Sequence, residues 1–144
     1  MSAEPRWVSK SAVLAIHATL LAIHGGPSGV RDEALLDSAL AAPKNAHAYG
    51  EPDLFDLAAN YAHAITRNHP FADGNKRLAL TIAGVFLELN GYRLAASEPE
   101  AVAATVALSS RRLTVDAYAA WLRDSSKRKR SAARRPSGRP KRSK

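Results

Sequence analysis

Cysteine is absent from this 144-residue chain, so neither a disulfide framework nor a Cys-based zinc site is available. No uninterrupted apolar run approaches the roughly 20 residues needed to cross a bilayer. Met1–Lys10 has no basic start followed by an apolar core, which argues against a secretory signal. Sustained two-residue alternation is also missing, which argues against a sheet protein. These absences set the expectation of a soluble, cytoplasmic protein with no membrane partner. The length suits one domain, and the 46% apolar content argues against global disorder.

Acids are missing from one end only. The chain has 21 Lys and Arg against 13 Asp and Glu, a net charge of +8. Residues 125–144 hold ten of the basic residues and no acid, so that segment is +10 and residues 1–124 are −2. The segment SSKRKRSAARRPSGRPKRSK has no large apolar residue that could offset the entropy of ordering. It reads as a disordered basic tail behind a domain spanning 1–124. The tail is either a solubilising extension or an electrostatic attachment to nucleic acid or the ribosome.

Residues 1–124 show helical spacing almost throughout, which predicts an all-α domain of about six helices. Ser9 or Ser11 caps the first, with Val13, Ile16, Leu20 and Ile23 on its apolar face. Gly25–Gly29, reading GGPSG, breaks it. Asp32 caps a short second helix that Pro43 ends, and 43–52 reads as an irregular connection. Asp53 starts a third helix through about Arg67. The most apolar helix, about Asn75 to Asn90, is expected to be central. Ser97 and Glu100 have capping-box spacing for a fifth helix, and Thr114 opens a sixth. A residual strand pair near Trp7 and Tyr92 is the most sheet expected. Trp7, Tyr118 and Trp121 read as core aromatics.

Chemistry concentrates in His69-Pro70-Phe71-Ala72-Asp73-Gly74-Asn75-Lys76-Arg77, the turn feeding the fourth helix. A helix N-terminus offers unpaired N–H groups and partial positive charge to a phosphate. Gly74 lets the backbone approach such a ligand. Lys76 and Arg77 oppose the helix dipole unless an anion binds there. Asp73 supplies a hard oxygen, and Mg²⁺ takes one or two carboxylates plus substrate phosphates. His69 suits proton transfer near neutral pH. Taken singly, each residue also has a structural reading: turn, cap or solvated cation.

HPFADGNKR resembles the Doc branch of the Fic/Doc family, whose pattern is H-x-F-x-D/N-A/G-N-K-R. Ala15-Ile16-His17, the GGPSG turn, RDEALLDSAL at 31–40, DLF at 53–55 and FLELNGYRL at 86–94 extend the resemblance over roughly residues 6–123. It implies a compact helical fold and transfer from ATP with Mg²⁺. Fic enzymes carry G-N-G-R and transfer AMP to a protein hydroxyl. The Doc branch carries Lys where Fic has its second Gly, and transfers the γ-phosphate. Lys76 occupies that position here, and Leu80 stands where Fic enzymes place a second Arg.

The resemblance implies a role for each residue. His69 takes a proton from a Ser or Thr hydroxyl, and Asp73 holds Mg²⁺. Asn75 and the Gly74 N–H orient phosphate oxygens, while Lys76 and Arg77 balance charge. Arg67 and Phe71 complete the ATP-binding set, Arg67 assisting substrate or phosphates and Phe71 mainly anchoring the loop. The resemblance further implies a toxin that phosphorylates elongation factor Tu on a threonine. Its neutraliser would be an antitoxin whose C-terminal segment folds onto the toxin. The self-inhibitory S/T-x-x-x-E pattern of some Fic proteins is absent from this chain. The rivals are Fic-type AMP transfer and a non-catalytic binding module. Lys44 to Tyr49 fall where Fic-type proteins place a substrate-aligning flap. His17, His24, His47 and His63 lack tight ligand spacing and read as structural or surface residues, with His63 the nearest to the motif.

Overall fold

The computed structural model describes residues 4–130. They form helices α1 (Lys10–His24), α2 (Glu33–Tyr49), α3 (Leu54–Asn68), α4 (Asn75–Leu89), α5 (Glu98–Ser109) and α6 (Val115–Asp124). Strands β1 (Tyr92–Leu94) and β2 (Ser126–Arg128) make a small antiparallel pair. The domain is all-α as expected. No described helix is long and apolar enough to cross a membrane.

Side-chain caps open five helices: Ser9, Asp32, Asp53, Ser97 and Thr114 each accept a backbone N–H from the first turn. Asp53 and Asp56 form a reciprocal capping box, a role usually taken by Ser or Thr with Glu or Gln. Arg123 reaches from α6 to the Asp53 carboxylate at 2.7 Å, tying α6 to the start of α3.

Pro43 does not end the second helix; α2 runs through it to Tyr49. Proline removes one N–H, but its buried ring lies on the stripe of Leu36 and Ala39 and contributes packing in return. Lys44 to Tyr49 are therefore the last helical turns rather than an irregular flap, and only 50–53 connect to α3.

Centrality is shared between two helices. α4 packs on α1, α3, α5 and β1, while α3 packs on α2, α4, α5 and α6. Ala58, Ala59, Ala62 and Ala64 are buried on α3, and such small side chains allow close helix approach. Tyr61 is fully buried, and its hydroxyl accepts from Val8 N–H at 3.1 Å. Burial raises the Tyr61 pKa despite that bond.

The expected pairing of Trp7 with Tyr92 does not form. The Asn90 side chain instead holds the Arg6 backbone, its Oδ1 accepting and its Nδ2 donating, both at 2.9 Å. Tyr92 pairs with Arg128, and Leu94 with Ser126. The basic segment is thus ordered past residue 124, and the domain extends to 130. Lys129 N–H donates to Gly91 O at 2.8 Å, and its ammonium meets Glu88 at 2.7 Å. The Arg128 guanidinium lies 5.3 Å from the centre of the Tyr92 ring. Ladder bonds and charge pairing order residues that apolar burial alone would not. The rest of the sequence-predicted tail, 131–144, lies outside the described residues.

Candidate active site

The end of α3 and the start of α4 meet in the motif loop. His69 follows α3 in a left-handed conformation, φ 51° and ψ 55°, with its N–H bonded to Ile65 O at 3.1 Å. That region costs a non-glycine residue roughly 1 kcal/mol or more, so the surroundings must hold it. Residues 29–32 provide one support. Arg31 and Asp32 N–H both donate to Pro70 O, Ala72 N–H donates to Gly29 O, and Val30 bridges Phe71. The Arg31 guanidinium donates to the carbonyls of His69 and Asn68, at 2.7 and 2.9 Å.

Asn75 provides a second support from inside. It is buried, and its Oδ1 accepts from Phe71 N–H at 3.1 Å. That bond fixes the amide orientation. Its Nδ2 then donates to Phe71 O at 3.0 Å and to His69 Nδ1 at 3.1 Å. Both amide protons are committed here, so the Asn75 side chain holds the loop and the His69 ring. The neutral His69 ring consequently carries its proton on Nε2.

His17 on α1 is the third support, and its role was not visible in the sequence. It is 4% exposed, stacks on Phe71 with ring centres 3.8 Å apart, and donates Nε2–H to Asp73 O at 2.9 Å. The available signal was a polar residue four positions after Val13, on the buried stripe of α1. Phe71 is 1% exposed within this stack and does not line the cavity described below, so it anchors the loop.

Gly74 caps α4 in the left-handed region, φ 82°, and no side chain accepts from the first N–H groups of α4. Uncapped N–H groups at a helix N-terminus have the geometry of an anion cradle. Lys76 and Arg77 are exposed there, and neither has an ion-pair partner among the described residues. A cavity of about 360 Å³ opens in front of them. His69, Asp73, Gly74 and Asn75 line it with Lys76 and Arg77. His24 and Glu98 add a further imidazole and carboxylate from α1 and α5. The far wall is largely apolar: Leu80, Val102 and Val106, with Thr105.

That wall is fixed from behind. Thr105 Oγ1 donates to Ala101 O at 2.9 Å, so the Tyr118 hydroxyl, 2.8 Å away, must donate to Thr105. Burial pushes the Tyr118 pKa up to about 12, keeping this donor protonated.

Asp73 is exposed at the cavity, and no group of three metal-ligand side chains exists among the described residues. One carboxylate beside an anion cradle fits Mg²⁺ that arrives with its phosphates. The Gly26 backbone closes the other side of Asp73: a Cβ there would sit 2.5 Å from Asp73 Oδ2. Arg67 is exposed on the last turn of α3 and does not line the cavity. His63, also outside the cavity, has its pKa lowered by burial and by the Arg67 and Arg111 charges.

A family model described as Fic/DOC family matches residues 7–87. Among curated proteins, the chain is 34% identical to "Protein kinase doc" of Escherichia phage P1, over 82% of this chain and 94% of that protein. It is 48% identical to "Toxin Doc" of Mycolicibacterium smegmatis, over 50% of this chain; the match spans 57% of that relative. Together with the motif geometry, these matches show that the chain belongs to the Fic/Doc family, on its Doc branch.

Proposed function

We propose that this chain is the toxin of a toxin–antitoxin pair, transferring the γ-phosphate of ATP to a Ser or Thr hydroxyl of a translation factor, elongation factor Tu by resemblance. The two relatives, one named a toxin and the other a protein kinase, support that reading. The observation that carries it is the pairing of a cationic anion cradle with His69 and Asp73 in one cavity.

In this reading the first-turn N–H groups of α4 and the Lys76 and Arg77 side chains gather the phosphates. Lys76 adds a flexible ammonium where a glycine would leave room for the α-phosphate of an AMP-transfer pose, and Leu80 offers no second guanidinium. Bound Mg²⁺ would supply charge neutralisation at the phosphates, held by Asp73. The substrate hydroxyl oxygen bonds to the γ-phosphorus as the bond to the β–γ bridging oxygen breaks, releasing ADP. The hydroxyl proton passes to His69. The only lone pair of the neutral ring meets Asn75 Nδ2, so proton uptake exchanges that bond for one to the hydroxyl. The partners follow from the resemblance: an antitoxin whose C-terminal segment covers the toxin, and a cytoplasmic setting. The basic residues from 127 onward would attach nucleic acid or the ribosome.

The test is intact-mass analysis of elongation factor Tu after incubation with the chain, ATP and Mg²⁺. Gain of a phosphate is expected, and gain of an adenylyl group would replace this reading with AMP transfer. His69→Ala should abolish both the modification and growth arrest. Arrest by that variant at the wild-type level would establish a non-catalytic module instead.

A further inference from the structure

We infer that Arg31 is a positioning residue for His69, acting through the backbone on which the catalytic ring is mounted. The catalytic part of this inference rests on the function proposed above; the structural part does not. Arg31 does not line the cavity and touches no residue of the anion cradle by its side chain. Its Nε and one terminal nitrogen instead donate to the carbonyls of His69 and Asn68, at 2.7 and 2.9 Å. These carbonyls end α3, where helical oxygens lack partners and the dipole is negative.

No carboxylate lies within ion-pair distance of Arg31 among the described residues, so the guanidinium meets only these oxygens. Two N–H bonds from one rigid plane tie the carbonyls of two successive residues to a single group, which restricts the chain in direction as well as position. An ammonium can reach one oxygen strongly but lacks the planar fork.

His69 has two points of restraint. Before proton uptake Asn75 holds the ring at Nδ1, and Arg31 holds the main chain at the carbonyl of the same residue throughout. Between them lies a left-handed backbone that would relax elsewhere without restraint. The Arg31 backbone adds to the clamp, its N–H donating to Pro70 O at 2.7 Å. Substituting the side chain leaves this main-chain bond in place, so the loop should stay docked while the His69 and Asn68 carbonyls lose the guanidinium. A displacement of the ring by about 1 Å would then cost about 10- to 100-fold in turnover.

The experiment compares wild type with Arg31→Lys and Arg31→Ala. Imidazole ¹H–¹⁵N spectra report the His69 ring without any substrate. Steady-state transfer to elongation factor Tu reports kcat and the KM for ATP. Positioning predicts shifted His69 resonances in both variants, and kcat lower by about 10- to 100-fold with KM for ATP changed less than about 3-fold. It also predicts partial recovery of Arg31→Ala by added guanidinium at millimolar concentration, and none by ammonium. Unmoved His69 resonances in both variants would overturn the inference. So would a kcat that falls only in proportion to the folded fraction. If the wild type transfers nothing, the proposed function fails, while the spectra still decide whether Arg31 places His69.

Discussion

Gly26 and Gly29 share a backbone problem but not a neighbour. Both have positive φ, 117° and 107°. A Cβ at Gly26 would strike Asp73 Oδ2 at 2.5 Å, whereas one at Gly29 meets open space. Gly26→Ala and Gly29→Ala should therefore each lose stability on the order of 1 kcal/mol from the backbone. Only Gly26→Ala should also displace the Asp73 carboxylate. The expected result is a Mg²⁺ requirement raised several-fold for Gly26→Ala and little changed for Gly29→Ala, read from transfer rate against Mg²⁺ concentration. Equal Mg²⁺ dependence in the two variants would separate Asp73 from the metal. At this scale His69, Asp73, Gly74, Lys76 and Arg77 were legible because one short segment carries them and one cavity collects them. His17 was not, because its place on the buried stripe of α1 marks it as buried without naming its partner Asp73, 56 residues away.

Helix starts translate directly from residue type to structure because a cap is local. The most connected of them is Asp53, which closes a capping box with Asp56 and receives Arg123 from α6. Burial would raise its carboxyl, but the Asp56 N–H and the Arg123 guanidinium outweigh burial and hold it below its ordinary 3.8. A carboxyl depressed in the folded state stabilises fully above its unfolded value and loses that contribution as pH falls through the folded one. Asp53→Asn keeps an oxygen for the cap and removes the titrating charge. The variant should melt below wild type at neutral pH, by no more than about 1 kcal/mol for so exposed a pair. The gap should close as acid protonates Asp53 in the wild type; a gap constant from pH 7 to pH 3 would show that the charge contributes nothing. What local signals could not reveal lies between elements. Pro43 stays helical because of the face it buries, and residues 29–32 are ordered by pairing with 70–72. Spacing within a helix carries no record of either contact.

Divided at residue 130, the net charge of +8 is +2 on residues 1–130 and +6 on residues 131–144. α4 runs from the anion cradle at Gly74 to Leu89, about 22 Å at 1.5 Å per residue. β1 follows at its far end and anchors β2, so residues 126–128 of the basic segment are held by the strand that follows α4. Composition located that segment but set its boundary too early, because β2 borrows its order from a strand some thirty residues upstream. A chain cut after Asp124 removes β2, the Lys129–Glu88 pair and the Ser125 carbonyl that accepts from Ala95. It should unfold on the order of 1–3 kcal/mol more easily than the full chain, given net values near 1 kcal/mol per hydrogen bond. A cut after Arg130 should melt with the full chain and retain its transfer rate. That second cut still removes six of the ten basic residues. If the segment serves as a polyanion anchor, binding of a fluorescent duplex should weaken steeply with salt for the full chain and fall sharply for residues 1–130. Equal weak binding by both chains at two salt concentrations would make the extension a solubilising one, with the cavity chemistry untouched either way.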